Sequence, residues 1–176
     1  MSLDEDETSR REAEELPGPS GLESALANDT LADVVTQAPL ILEAATSLAD
    51  AIHTMREQRR ACVLVVESGK LAGIFTERDI LMKVAGILMN LDRTRLDEAM
   101  TRDPVTLPAD SNVAYALNLM VLEGFRHIPM VDDDDRPVAV VSMRDLIEYL
   151  GSFYSRDLLT IAPHPRLAGF KQRDGA

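Results

Sequence analysis

Cysteine is almost absent from this chain. The one thiol, Cys62, excludes an internal disulfide framework, and its place inside the apolar stretch 61–66 makes it a small buried hydrophobe. Long apolar runs are missing too. Nothing approaches the roughly 18 to 20 residues of a membrane span, and the chain starts acidic where a secretory signal would be basic and then apolar. The expected location is therefore the cytoplasm, with no membrane partner. Basic charge is scarce: 18 Lys and Arg against 30 Asp and Glu leave a net charge of −12, which argues against a nucleic-acid surface. The three histidines, His53, His127 and His164, stand far apart with no Cys or acid cluster at metal-ligand spacing, so no metal site is read. The acidic run 132–135 reads as a solvated hairpin turn. No nucleophile with its base, no phosphate-gripping glycine loop and no paired carboxylates emerge, so the chain is expected to bind rather than catalyse and to require no cofactor.

What is present is an ordinary globular composition. With 176 residues, 45% of them hydrophobic, the chain can bury one compact core or two small ones. Residues 1–29 hold nine acids and two bases, and thus −7 of the net charge of −12. Broken by Pro17, Gly18, Pro19 and Gly21, this segment reads as a disordered acidic arm. The tail 156–176, with Pro163, Pro165 and Gly169, is too short for an effector domain. The chain is thus expected to stand alone and to act on an unknown protein target.

Between arm and tail lies an internal repeat. Placing 30–42 over 95–107 aligns Leu31 with Leu96, Thr36 with Thr101, Pro39 with Pro104 and Leu42 with Leu107. The offset of 65 continues through Ala44 and Ala109, Ala51 and Ala116, Met55 and Met120, and Val66 and Val131. By Asp79 and Asp145 it has become 66, which places a one-residue insertion in the hairpin turn between. The boundaries drawn are 30–88 and 89–155.

Each copy predicts the same elements. A short helix (31–36, then 96–101) is followed by an extended piece (40–42, 105–107) and an amphipathic helix. That helix opens at Ser47 in one copy and at Asp110 or Ser111 in the other, and Gly124 closes the second. Two strands follow (61–66 and 70–75, then 126–131 and 137–141), and a closing helix starts at Thr76 or Ser142. The apolar runs VLVV and VAVV predict strands covered on both faces. Met82, Met89, Met100, Met120 and Met130 read as core filling. The fold class is α/β (α+β), with two β-α-β-β-α repeats about a pseudo-two-fold axis and two equivalent clefts between them.

The chemistry lies where the last strand of each copy enters its helix. Copy one reads Gly73-Ile74-Phe75-Thr76-Glu77-Arg78-Asp79-Ile80, and copy two reads Ala139-Val140-Val141-Ser142-Met143-Arg144-Asp145-Leu146. Ser or Thr followed three residues on by an acid is a capping box, which needs no ligand. The arginine in the first turn of both copies points elsewhere, because the helix dipole favours anions there. Hydroxyl, guanidinium, carboxylate and helix N-terminus together suit a nucleoside phosphate.

These residues resemble the cystathionine-β-synthase (CBS) domain, and the tandem pair over about 30–150 resembles a Bateman module. The resemblance implies a homodimer built through the helices flanking the clefts, and AMP, ADP, ATP, S-adenosylmethionine or a related adenosyl ligand between the copies. It implies ribose-binding roles for Asp79 and Asp145, with Thr76, Arg78, Ser142 and Arg144 beside them. It also implies adenine and phosphate contacts from Arg126, His127, Ile128 and Pro129, and a cleft-lining Thr106. Copy one has Ala61 and Cys62 in place of Arg126 and His127, so its cleft is expected to offer fewer phosphate ligands. Ala139 in place of Gly73 is expected to tighten the approach of backbone to ligand in copy two.

Overall fold

The computed structural model describes residues 28–35, 37–85 and 90–153, with Ser24 and Leu26. Most of the expected arm, the expected tail with His164, and also Thr36 and Met89, lie outside these residues.

The first copy runs from a short α1 (Leu31–Val34) through β1 (Ile41–Glu43), α2 (Leu48–Glu57), β2 (Cys62–Glu67) and β3 (Lys70–Thr76) to a single turn of α-helix, α3 (Glu77–Asp79), continued by a π-helical turn (Ile80–Val84). Ser47 caps α2, its Oγ accepting from the Asp50 N–H at 3.1 Å, so the expected N-cap is the observed one. The second copy repeats the order with α4 (Leu96–Ala99), β4 (Thr101–Arg102), α5 (Val113–Glu123), β5 (His127–Val131), β6 (Pro137–Ser142) and α6 (Met143–Ser152). Here the cap is Asn112, which accepts from the Ala114 and Tyr115 N–H groups, not Asp110 or Ser111. Ser47 and Asn112 are 65 apart, so the repeat offset itself points to Asn112. Gly124 closes α5 in the left-handed conformation, φ 74°, as its lack of a Cβ allows.

Strands β1 to β4 form one sheet in that order, β1 parallel to β2 and the remaining pairs antiparallel. Strands β5 and β6 form a second, two-stranded sheet. Both hairpins carry a register shift at the same place, Val65/Val66 and Met130/Val131. Beyond it Val66 pairs with Leu71 and Val131 with Pro137, so the extra residue of copy two does lie in the hairpin turn. β2 is covered on both faces: Val63 and Val65 pack under the helices, while Cys62, Leu64 and Ile74 meet Val140 of the sister copy. β6 departs from the prediction. It has no fourth strand beside it among the described residues, and Val138 is 46% exposed.

The two copies exchange their first helices. Leu31 and Val34 of α1 are buried in the core of copy two with Val113, Ile128 and Leu146. Leu96 and Ala99 of α4 are buried in the core of copy one with Leu48, Val63 and Phe75. The backbone bonds that hold them are related by the same 65-residue offset. Leu31 N–H donates to the Ser111 carbonyl at 2.9 Å and Leu96 N–H to the Thr46 carbonyl at 2.8 Å, while Ala32 N–H donates to Ala109 and Asp97 N–H to Ala44. Each copy is thus completed by the other.

The second short helix is shorter than expected. It ends at Ala99, and Thr101 and Arg102 instead form β4, adding to the edge of β3 opposite Ile74 and Gly73. Gly73 is what permits this approach: a Cβ there would lie 2.4 Å from Met100 Sδ and 2.8 Å from the Thr101 carbonyl oxygen. Strand packing thus accounts for the glycine here, where copy two has Ala139. The expected strand 105–107 reduces to one bridge, between Leu107 and Met130. Met100, Met120 and Met130 are buried as expected, but Met82 is 72% exposed on the π-helical turn.

Candidate functional site

Both Ser/Thr-x-Arg-Asp segments fold as capping boxes. Thr76 N–H donates to Asp79 Oδ2 at 2.9 Å, the Thr76 hydroxyl donates to the same oxygen at 2.7 Å, and Asp79 N–H returns a bond to Thr76 Oγ1. Ser142 and Asp145 repeat the pattern at 2.7 and 2.7 Å. The box fixes where each carboxylate stands, at the mouth of a cleft shared by the two copies.

The first cleft, about 360 Å³, sets Thr76, Glu77, Arg78 and Asp79 of copy one against Thr101, Asp103, Pro104, Val105, Phe125, Arg126 and His127 of copy two. Its volume suits a nucleoside-sized ligand. Asp79 is the one buried charged residue among those described, 7% exposed. Burial works to raise its pKa, yet the Lys83 ammonium and the Thr76 bonds outweigh this and hold it below the ordinary carboxylate value. Lys83 Nζ lies 2.6 Å from Asp79 Oδ1. Thr101 Oγ1 lies 3.3 Å from the same atom. His127 is half-buried between the clefts. Burial, aided by neighbouring Arg126, lowers its pKa, so at neutral pH the imidazole is uncharged and offers one donor and one acceptor.

The second cleft, about 460 Å³, sets Ser142, Arg144 and Asp145 of copy two against Gln37, Leu40, Arg59, Arg60, Ala61 and Cys62 of copy one. Burial pushes the Cys62 thiol up to about 12, so it stays protonated and unreactive. Arg144 pairs with Glu148 at 2.8 Å, and Arg60 reaches Gln37 Oε1 at 2.9 Å. Among the described residues Asp145 Oδ1 accepts no hydrogen bond.

Eight of the eleven residues singled out from the sequence line the clefts: Thr76, Arg78, Asp79, Arg126 and His127 the first, and Ser142, Arg144 and Asp145, again with His127, the second. Three do not. Ile128 is fully buried in the core of copy two, and Pro129 lies buried in β5 opposite Val140. Thr106 lines a separate hollow with Lys70 and Asp135, and it is the preceding residue, Val105, that faces the first cleft. Alternating side-chain direction along extended chain separates the neighbours. The expected shortage of cationic groups opposite Asp145 is also overturned. Ala61 and Cys62 are apolar, but the preceding Arg59 and Arg60 line that cleft. Sequence reasoning missed them, as it missed Lys83, although Lys83 stands four residues after Asp79, the helical spacing of an ion pair.

A CBS-domain family model matches residues 31–86 and 96–152. Among curated proteins, an uncharacterised protein of Methanopyrus kandleri is 34% identical over 66% of this chain and 57% of its own length. A CBS domain-containing protein of Arabidopsis thaliana is 32% identical over 66% of this chain and 20% of its own. The match thus spans less than two thirds of both relatives. Among solved structures, the CBS domain pair of protein MJ0100, in complex with 5′-methylthioadenosine and S-adenosyl-L-methionine, superimposes with a TM-score of 0.63 at 25% identity, covering 70% of this chain and 96% of its own.

Proposed function

The chain belongs to the CBS-domain family, and from that premise we propose that it is a regulatory module that binds an adenosine nucleotide or a related adenosyl ligand in its two inter-copy clefts. The observation that carries this reading is the convergence in each cleft of a tethered carboxylate, a helix N-terminus and arginines drawn from both copies. A carboxylate accepts from ribose hydroxyls, and guanidinium and helix N–H groups suit phosphate. The ligands of the MJ0100 pair support the adenosyl class, and AMP, ADP, ATP and S-adenosylmethionine are the candidates. A ligand bridging the copies binds their relative orientation and couples it to whatever reads that orientation, an unidentified protein target or a second copy of the chain. Exposed Leu81, Met82, Val121, Leu122 and Ile147 on the flanking helices support a homodimer. Regulation rather than catalysis, in the cytoplasm, completes the reading. No helix among the described residues is long and apolar enough to cross a membrane.

A second reading is favoured by the completeness of the two capping boxes: Thr76 and Ser142 are already used within the fold, as a structural dimerisation module without ligand requires. Thermal unfolding with AMP, ADP, ATP and S-adenosylmethionine separates the two, with light scattering on the same samples to give the oligomeric mass. A ligand at about 100 times its Kd stabilises the fold by roughly 2.7 kcal/mol. The proposal expects a rise in Tm that Asp79→Ala or Asp145→Ala removes; no rise with any of the four favours the second reading.

A further inference from the structure

The two clefts are alike in plan but unlike in the state of their carboxylates, and this difference assigns them different roles. Asp79 Oδ1 is already engaged, by Lys83 Nζ at 2.6 Å and Thr101 Oγ1 at 3.3 Å. Lys83 is held in place by further bonds to the Ala99 carbonyl at 2.9 Å and to Thr101 Oγ1 at 3.2 Å. The π-helical turn Ile80–Val84, closed by Ala85 N–H on the Ile80 carbonyl, is the backbone irregularity that carries this lysine. Such turns are a recurrent feature of functional sites. In copy two the corresponding segment is regular α-helix, and the position equivalent to Lys83 is Tyr149, whose hydroxyl bonds Asp29 instead. Asp145 Oδ1 is left without a partner among the described residues. The charge around the two carboxylates differs in the same direction. Arg59, Arg60 and Arg144 outnumber Asp145 and Glu148 in one cleft, whereas in the other Arg78 and Arg126, even with Lys83, only match Glu77, Asp79 and Asp103.

Resting on the adenosyl reading above, we infer that a phosphate-bearing adenosine ligand enters the Asp145 cleft first, and that Lys83 acts as a built-in competitor closing the Asp79 cleft to ribose. A ribose hydroxyl donates to a free carboxylate oxygen at Asp145, but at Asp79 it must displace a charge-assisted bond. The phosphate meets net positive charge in the Asp145 cleft and, with Lys83 on Asp79, no net charge in the Asp79 cleft. Occupancy is therefore ordered, and the Asp79 cleft opens only when Lys83 leaves Asp79.

Calorimetric titration of the full chain with AMP tests this order. The wild type is expected to bind about one equivalent. Asp145→Asn, which withdraws the open carboxylate, weakens that equivalent by at least about tenfold. Lys83→Met, which keeps the length of the side chain and removes its ammonium, admits a second equivalent. Two equivalents of similar affinity in the wild type overturn the inference, as does a first equivalent that survives Asp145→Asn or a folded Lys83→Met chain that still binds only one. A melting curve establishes that Lys83→Met is folded; if it is not, the Asp145→Asn titration decides by itself. Absence of binding in all three chains, with AMP and equally with ADP, ATP and S-adenosylmethionine, removes the adenosyl reading together with the competitor role of Lys83, an outcome distinct from binding in the wrong order.

Discussion

Gly73 shows how a single residue can let two repeats join. Its Hα side faces the backbone of β4, and the space a methyl group would need is taken by Met100 Sδ and the Thr101 carbonyl. The sulfur end of Met100 can yield, but the carbonyl belongs to the ladder between β3 and β4 and cannot move without breaking it. Gly73→Ala is expected to cost about 1–3 kcal/mol, the usual penalty of overpacking, measured as a lower midpoint in urea unfolding with an unchanged slope. Ala139→Gly, at the equivalent place in copy two, has no such contact to relieve. The identity of Gly73 was plain in the sequence, but its reason was not, because the strand that presses on it comes from the other copy.

At the scale of elements, the caps decide where helices begin. Asn112 accepts two N–H bonds at the head of α5, while Asp110 and Ser111 precede it in the turn. Asn112→Ala should therefore destabilise the protein by about 1 kcal/mol, and Ser111→Ala by much less, a contrast that thermal melts of the two variants would expose. An N-terminal cluster of Asp, Ser and Asn leaves the cap ambiguous by composition alone, and only the repeat offset from Ser47 resolves it. The closing elements show the opposite balance. Thr76 and Ser142 were legible as helix starts because a capping box is local, set by residues three apart. The first of these helices turns to a π-helical geometry and the second does not, a difference no local pattern shows; Lys83 on that turn reaches across the fold to the Ala99 carbonyl, at the end of α4, and to Thr101 just after it.

For the whole molecule, the exchange of α1 and α4 ties the copies into one cooperative unit. Leu31 is fully buried in the core of copy two and Leu96 in that of copy one, so neither core is complete without the other repeat. Leu31→Ala is expected to cost about 2–5 kcal/mol, as for a buried leucine elsewhere. It should lower a single shared transition rather than split off an unfolding of copy one alone. Calorimetric unfolding checks this, the prediction failing if two separate transitions appear. The same interlocking makes each cleft a joint product of both copies, since Asp79 faces Phe125, Arg126 and His127 and Asp145 faces Arg59 and Arg60.

The sequence by itself determined the repeat, its offset, the strand and helix order and the two tethered carboxylates, because periodicity, caps and turn residues act over a few positions and can be read where they stand. Only the tertiary structure decided which residues of the other copy oppose those carboxylates, that Val105 rather than Thr106 faces a cleft, and that Thr101 reaches Asp79 from the other copy. Those facts arise from contacts between segments tens of residues apart, and from the exchange of helices across the pseudo-two-fold axis. No local pattern encodes them, since the burial and partner of a side chain are set by whichever surface the folded chain brings to it.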